Sequence, residues 1–190
     1  MTFPPVHEAG RRRPKRRRSW IVAAAVAIPI LAFGGATARL FVWPQLSPPP
    51  PLVDAIVELG GPGDRDAAAL ALAREHRASV VVVSTAKSAA ESGDCFPPVD
   101  GVSVLCFHAE PNTTRGEAQA VRRLAAQHNW RSIILVTTPD QAWRARVRVT
   151  RCFDGDVYVA TTPLPAVKWF TQIPYQWVAT VKAFTVERAC

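Results

Sequence analysis

Residues 79–85 read SVVVVST. Four valines in a row suit a β-strand, because branching at Cβ stiffens the side chain in the way a pleated backbone favours. A strand with one wet face would alternate apolar and polar residues. This one does not, so both of its faces are covered, as in a parallel sheet. Working outward, LVDAIVELG (52–60), VSVLCF (102–107), SIILVTT (132–138) and DVYVATT (156–162) read as four more strands. Between them lie helical patterns: RDAAALALAREH (65–76), RGEAQAVRRLAAQHN (115–129), DQAWRARVRVTRCF (140–153, started by Pro139) and a closing YQWVATVKAFTVERA (175–189). In the second, Ala118, Val121, Leu124, Ala125 and His128 form the inner stripe. Strands alternating with helices predict an α/β domain: a mostly parallel five-stranded sheet with helices on both faces. Residues 86–101 are a Ser/Gly/Pro-rich excursion from the pattern.

Before this domain the composition changes. The chain of 190 residues has a net charge of +8. Seven Lys/Arg stand in residues 1–18 against Glu8 alone, giving +6, so the other 172 residues carry only +2. The basic character belongs to a tail, not to a nucleic-acid-binding face, and no zinc finger, RNA-binding aromatic signature or Walker lysine is present. No nucleic-acid partner is expected. WIVAAAVAIPILAFGGATA (20–38) then runs 19 residues without a charge, about 28 Å as a helix and close to the hydrocarbon thickness of a bilayer. The predicted organisation is a cytoplasmic tail at 1–18, a transmembrane anchor at 19–43, a proline-rich linker at 44–51 and an extracytoplasmic domain at 52–190, oriented by the positive-inside rule. The competing reading is a signal peptide cleaved after ATA (36–38). The apolar run exceeds the roughly 7–15 residues of a signal core, so a retained anchor in the plasma membrane is taken. WPQLSPPPPL (43–52) has five prolines and is expected to be a polyproline spacer that lifts the domain off the membrane.

Cys95, Cys106, Cys152 and Cys190 all follow the apolar run. An even count on the oxidising side fits disulfides. Of the three pairings, Cys95–Cys106 and Cys152–Cys190 are favoured, and four buried thiols are the alternative. CxxC spacing is absent and no metal is expected.

In open parallel sheets, ligands bind beyond the carboxyl ends of the strands. Each of the first four strands ends in polar residues. The first delivers Gly60, Gly61, Gly63, Asp64 and Arg65, whose amides suit an anion. The second delivers Ser84, Thr85 and Lys87. The third delivers His108, Glu110, Asn112, Thr113, Thr114, Arg115 and Glu117, and the fourth Thr137, Thr138, Gln141 and Arg144. Thr113 or Thr114 is a natural N-cap, with Glu117 three residues past Thr114 as in a capping box. Arg144 lies one turn into its helix, where a cation opposes the macrodipole; an acidic ligand or a salt bridge to Asp140 accounts for it. Glu110 and His108 are the candidate catalytic pair. His-x-Glu at 108–110 lacks the P-C-x-x-C of a zinc deaminase, and no G-x-S-x-G elbow occurs. A cofactor is not assigned.

DAIVELGGPGDR, VVVST, EPNTTRGEA and ILVTTPDQAWRA together resemble the successive blocks of the SanA/YdcF/ElyC-like family of bacterial envelope proteins, over about residues 53–162. The resemblance implies a Rossmann-like domain and a role in envelope integrity or peptidoglycan precursor metabolism. A small anionic or lipid-linked envelope metabolite is the implied partner. The departures are Gln141 where the family commonly has a histidine, Arg115-Gly116-Glu117 after Thr114 where Thr-x-Glu-Asn is usual, and Thr85–Ala86 where a glycine is usual. Loss of that histidine removes a general acid or base. Binding without catalysis is therefore the favoured reading; a hydrolase or transferase is the alternative.

Overall fold

The computed structural model of the chain describes residues 15–190, with side chains from residue 20 onward. The expected basic tail falls mostly outside the described residues. Helix α1 (Lys15–Thr37) carries the apolar run and passes into a π-helical turn, Ala38–Val42. The stretch Trp20–Val42 has 23 residues and a mean hydropathy of 2.1, long and apolar enough to cross a membrane. Met1–Ala36 and Thr37–Cys190 are two compact units.

In the second unit five strands make one sheet: β1 (Ala55–Glu58), β2 (Val80–Ser84), β3 (Ser103–Phe107), β4 (Ser132–Thr137) and β5 (Asp156–Thr161), in the order β3-β2-β1-β4-β5. Every pairing is parallel, with Ile56 opposite both Val81 and Ile134. The sheet is thus wholly parallel, as the valine run required. Helices α2 (Arg65–Arg74), α4 (Thr114–His128) and α5 (Pro139–Thr150) are the crossovers. Alternation sorts the side chains. Ile56, Val81, Val83, Ile134 and Val136 meet Ala69 and Ala73 of α2 on one face. Ala55, Val57, Val82, Ile133 and Leu135 meet Ala118, Val121, Ala142, Ala145 and Val149 of α4 and α5 on the other. Each buried valine, leucine or isoleucine contributes about 1.5–3 kcal/mol. His128 is not on the inner stripe of α4: it is exposed, its ring stacked on Trp130 at 5.2 Å.

The excursion at 86–101 holds a short helix, α3 (Lys87–Ser92), ended by Gly93 in the left-handed region. Both favoured disulfides are present. Cys95–Cys106, with Cα atoms 5.9 Å apart, ties the excursion to β3. Cys152–Cys190, 4.8 Å apart, ties the segment after the last helix, α6 (Trp169–Thr185), to the end of α5. Helix α6 begins six residues earlier than the sequence pattern suggested.

The proline-rich segment is not a free spacer. Leu46 packs against the core cluster on the side of the sheet that carries α4 and α5. Arg77 donates from Nε to Pro51 O at 2.7 Å and from Nη2 to Pro50 O at 2.6 Å and Pro49 O at 3.4 Å. A polyproline run leaves its carbonyls without internal partners, so a guanidinium can grip several in succession. A proline run signals stiffness in the sequence, whereas the docking of its carbonyls depends on a distant arginine that no local pattern marks.

Candidate functional site

The strand order reverses between β1 and β4: successive strands are added on one side as far as β3, then the chain returns to the other side of β1. A crevice opens above the carboxyl ends at such a switch point. A cavity of about 550 Å³ lies there. Gly60, Gly61 and Pro62 border it after β1, and Ser84, Thr85 and Ala86 after β2. Asn112, Thr113, Thr114 and Glu117 come from the start of α4, Gln141 and Arg144 from α5, and Gln172, Tyr175 and Gln176 from α6.

A chain of hydrogen bonds runs beneath this cavity. Arg65 Nη2 donates to Gln141 Oε1 at 3.1 Å, and Gln141 Nε2 donates to Thr114 Oγ1 at 3.2 Å. Arg144 Nη1 donates to the same Thr114 oxygen at 3.1 Å, and Arg144 Nε to Gln176 Oε1 at 2.8 Å. Gln176 Nε2 closes the chain on Asp140 Oδ2 at 2.8 Å. The Arg144–Asp140 salt bridge considered from sequence is therefore replaced by a glutamine placed between the two. Gln141 uses its acceptor and its donor at once, toward an arginine and a threonine.

Arg144 is 6% exposed, and among the described residues no carboxylate stands within ion-pair distance of it. Its guanidinium lies 5.9 Å from the centroid of the Tyr175 ring. Burial lowers its pKa from the ordinary arginine value. Nη2 makes no hydrogen bond to the described residues, and the residue borders the cavity. The start of α4 lies across from it. Thr113 is the N-cap, its hydroxyl accepting from Gly116 N at 3.3 Å, so the amides of Thr114 and Arg115 lack intrahelical acceptors. Gly116 permits this arrangement: a Cβ there would stand 1.9 Å from Pro111 O.

Glu117 is not part of a capping box. With Thr113 as the cap it falls one residue too late, and it reaches across to β1, accepting from Gly60 N at 2.7 Å. It is 5% exposed. Burial, the largest influence, raises its pKa, against the pull of the Gly60 amide, the Ser84 hydroxyl and the guanidiniums of Arg65 and Arg144. The Gly60 amide is consequently engaged inside the protein. On the α2 face, next in the strand, Glu58 is also buried; burial and the adjacent Asp66 carboxylate push it up to about 9.

Of the residues singled out from sequence, the structure brings Gly60, Gly61, Ser84, Thr85, Asn112, Thr113, Thr114, Glu117, Gln141 and Arg144 to the cavity wall. The others lie elsewhere. Arg65 directs its N–H donors to Leu59 O, Gly60 O, Pro62 O, Thr138 Oγ1 and Gln141 Oε1, so it clamps the glycine turn. Gly61, at φ +136, leaves room for that guanidinium, since a Cβ would meet Arg65 Nη2 at 2.6 Å. Gly63 faces Thr138 and Thr162, and Asp64 caps α2 through Ala67 N. Thr137 and Thr138 are fully buried under the rim. Arg115 donates to Cys190 O at 3.1 Å. His108 Nδ1 lies 3.0 Å from Thr85 O, a carbonyl acceptor that requires the proton on Nδ1. Glu110 is exposed and does not border the cavity. Sequence reasoning missed Gln172, Tyr175 and Gln176. Their signal was two glutamines four residues apart, one turn of an otherwise apolar helix.

Among the described residues no group of three His, Cys, Asp or Glu side chains is placed to hold a metal ion. Comparison of the chain with protein-family models, with curated proteins and with solved structures gives no match.

Proposed function

We propose that the chain is a single-pass membrane protein with its domain outside the cytoplasm. There it binds an anionic small molecule, or the phosphorylated head of a lipid-linked envelope metabolite, at the carboxyl edge of the sheet. The observation that carries this reading is Arg144: a buried cation beside a cavity, fixed by Gln176 and Thr114, with no carboxylate within ion-pair distance among the described residues and only the more distant charges of Glu117 and Asp140 to offset it. A charge taken out of water at such cost is stabilised by an anion arriving in front of it. The amides at the start of α4, which have no intrahelical acceptors, add to that field. Two disulfides support an oxidising compartment, and the basic residues ahead of the apolar run support a cytoplasmic N-terminus. The sequence resemblance supports an envelope role, with this chain as a divergent SanA/YdcF/ElyC-like member.

A second reading is a hydrolase or transferase acting on the same class of metabolite. Glu117 favours it: a carboxyl whose pKa burial raises, beside the Ser84 hydroxyl on the cavity wall, is suited to proton transfer. In that reading Glu117 takes the role first assigned to Glu110.

Calorimetric titration of the detergent-solubilised full chain with inorganic pyrophosphate tests both, with thermal melting as the check on folding. Arg144→Gln should weaken binding about 10- to 150-fold, the loss of one charge-assisted contact. Unchanged affinity would end the anion reading. Glu117→Gln separates the two roles. Under catalysis affinity persists while rescue of a deletion strain's envelope defect is lost; under binding the two change in step.

A further inference from the structure

Helix α6 has a face that the cavity does not use. Phe170, Pro174, Val178 and Val181 follow one another at spacings of four, four and three residues, which places them on one side of the helix. Phe170 is 86% exposed and Val178 70%. Soluble surfaces scatter such residues singly; a continuous stripe marks a contact. The opposite side of α6 is buried through Gln176, Thr180 and Ala183.

What covers the stripe is indicated by its neighbour on the helix. Trp177 donates from Nε1 to Thr37 Oγ1 at 3.1 Å, and its ring meets Phe41 edge-on at 5.3 Å. Thr37 is the last residue of α1, and Phe41 belongs to the turn Ala38–Val42 that completes the membrane-length apolar stretch. That turn also lies against α5. No spacer therefore separates the end of that stretch from α6. If the chain leaves a bilayer there, the adjoining stripe is within reach of the same surface. Composition agrees. From Val157 to Val186 there is no aspartate or glutamate, only Lys168 and Lys182, while Trp169, Phe170, Tyr175, Trp177 and Phe184 crowd the helix. Aromatic and apolar side chains edged by lysine, with no carboxylate, are the composition of a helix lying in the headgroup region.

We infer that α6 is a second membrane contact, resting its Phe170–Val181 stripe in the outer leaflet of the bilayer that α1 crosses. The inference rests on the membrane-anchor reading and deepens it. Because Gln172, Tyr175 and Gln176 of the same helix wall the cavity, a lipid-linked ligand would meet the site at the level of its own headgroup.

The test uses the full chain reconstituted in phosphatidylcholine/phosphatidylglycerol vesicles, with part of the phosphatidylcholine brominated at shallow acyl positions. All four cysteines are paired, so Val178→Cys or Val181→Cys supplies a single thiol for an environment-sensitive fluorophore. Arg123→Cys, on the exposed side of α4, is the control. A stripe lying about 5–10 Å into the interface should show blue-shifted emission and at least about twofold quenching by bromine, with neither at the control. Water-like, unquenched emission at both stripe positions, from a chain that resists alkaline extraction, would overturn this inference and leave the anchor intact. Release of the chain by alkaline extraction would remove the anchor and this inference with it. A blue shift that bromine does not quench and that grows with protein density would assign the stripe to a second copy and reject the lipid contact.

Discussion

Replacing Glu58 with glutamine should change how stability depends on pH, and the size of the change follows from the structure. Glu58 closes β1 with its carboxyl buried on the α2 face, and one of its oxygens, Oε2, has no hydrogen-bond partner among the described residues. Burial first, then the neighbouring Asp66, raises its pKa from an ordinary 4.5 to about 9. Between these values the folded chain keeps a proton that the unfolded chain has lost. Stability contributed by the protonated form is therefore complete below pH 4.5 and falls as pH rises toward 9. The limiting slope is about 1.4 kcal/mol per pH unit. From pH 5.5 to 8.5 that amounts to at most about 4 kcal/mol. Asp66 is exposed and water screens its share, so about 2–4 kcal/mol is expected. Glutamine is neutral throughout and can donate to Asp66 as the protonated acid does. Glu58→Gln should thus match the wild type near pH 5 and exceed it by that amount near pH 8.5. Urea unfolding of both chains in the same micelles, repeated across this range, measures the difference and cancels groups common to both, Glu117 included. Equal pH slopes in the two chains would refute the reasoning.

Three further outcomes are expected. Removing Cys152–Cys190, whose cysteines are 38 residues apart, should cost about 4 kcal/mol, and removing Cys95–Cys106, 11 apart, about 3 kcal/mol, read from urea midpoints. Gly116→Ala should destabilise by about 1–3 kcal/mol and weaken pyrophosphate binding, because its Cβ would displace the Pro111 carbonyl and the start of α4 with it. A reporter that works only outside the cytoplasm, fused after Cys190, should be active and remain in the membrane fraction; activity in the soluble fraction would indicate a cleaved leader.

The sheet was legible because its strands are buried on both faces and so are written as apolar runs, with helices of a different period between them. The disulfides were legible from loop length and compartment. The cavity was legible only in part. Strand order brings the carboxyl ends together, and that much follows from chirality and connection rules. The direction of each side chain does not. Glu110 and Glu117 look alike in sequence, yet one lies in an exposed loop and the other on the inward side of a helix, under the glycine turn. Arg65 and Arg144 each lie within the first two turns of a helix, yet one is enclosed by carbonyls and the other borders the cavity. The contribution of α6 depends on where the last helix packs, which no local pattern records. Docking of the proline segment depends likewise on Arg77, some 26 residues from Pro51.

Whether an anion is held between Arg144 and the start of α4 can be read residue by residue from amide-shift mapping of the isotope-labelled full chain in nanodiscs during titration with inorganic pyrophosphate. The largest saturable shifts are expected at the amides of Gly61, Thr114 and Arg115 and at the Arg144 Nε–H. Shifts confined to the opposite edge of the sheet, around Arg122 and Arg131, or no saturable shifts at all, would contradict it.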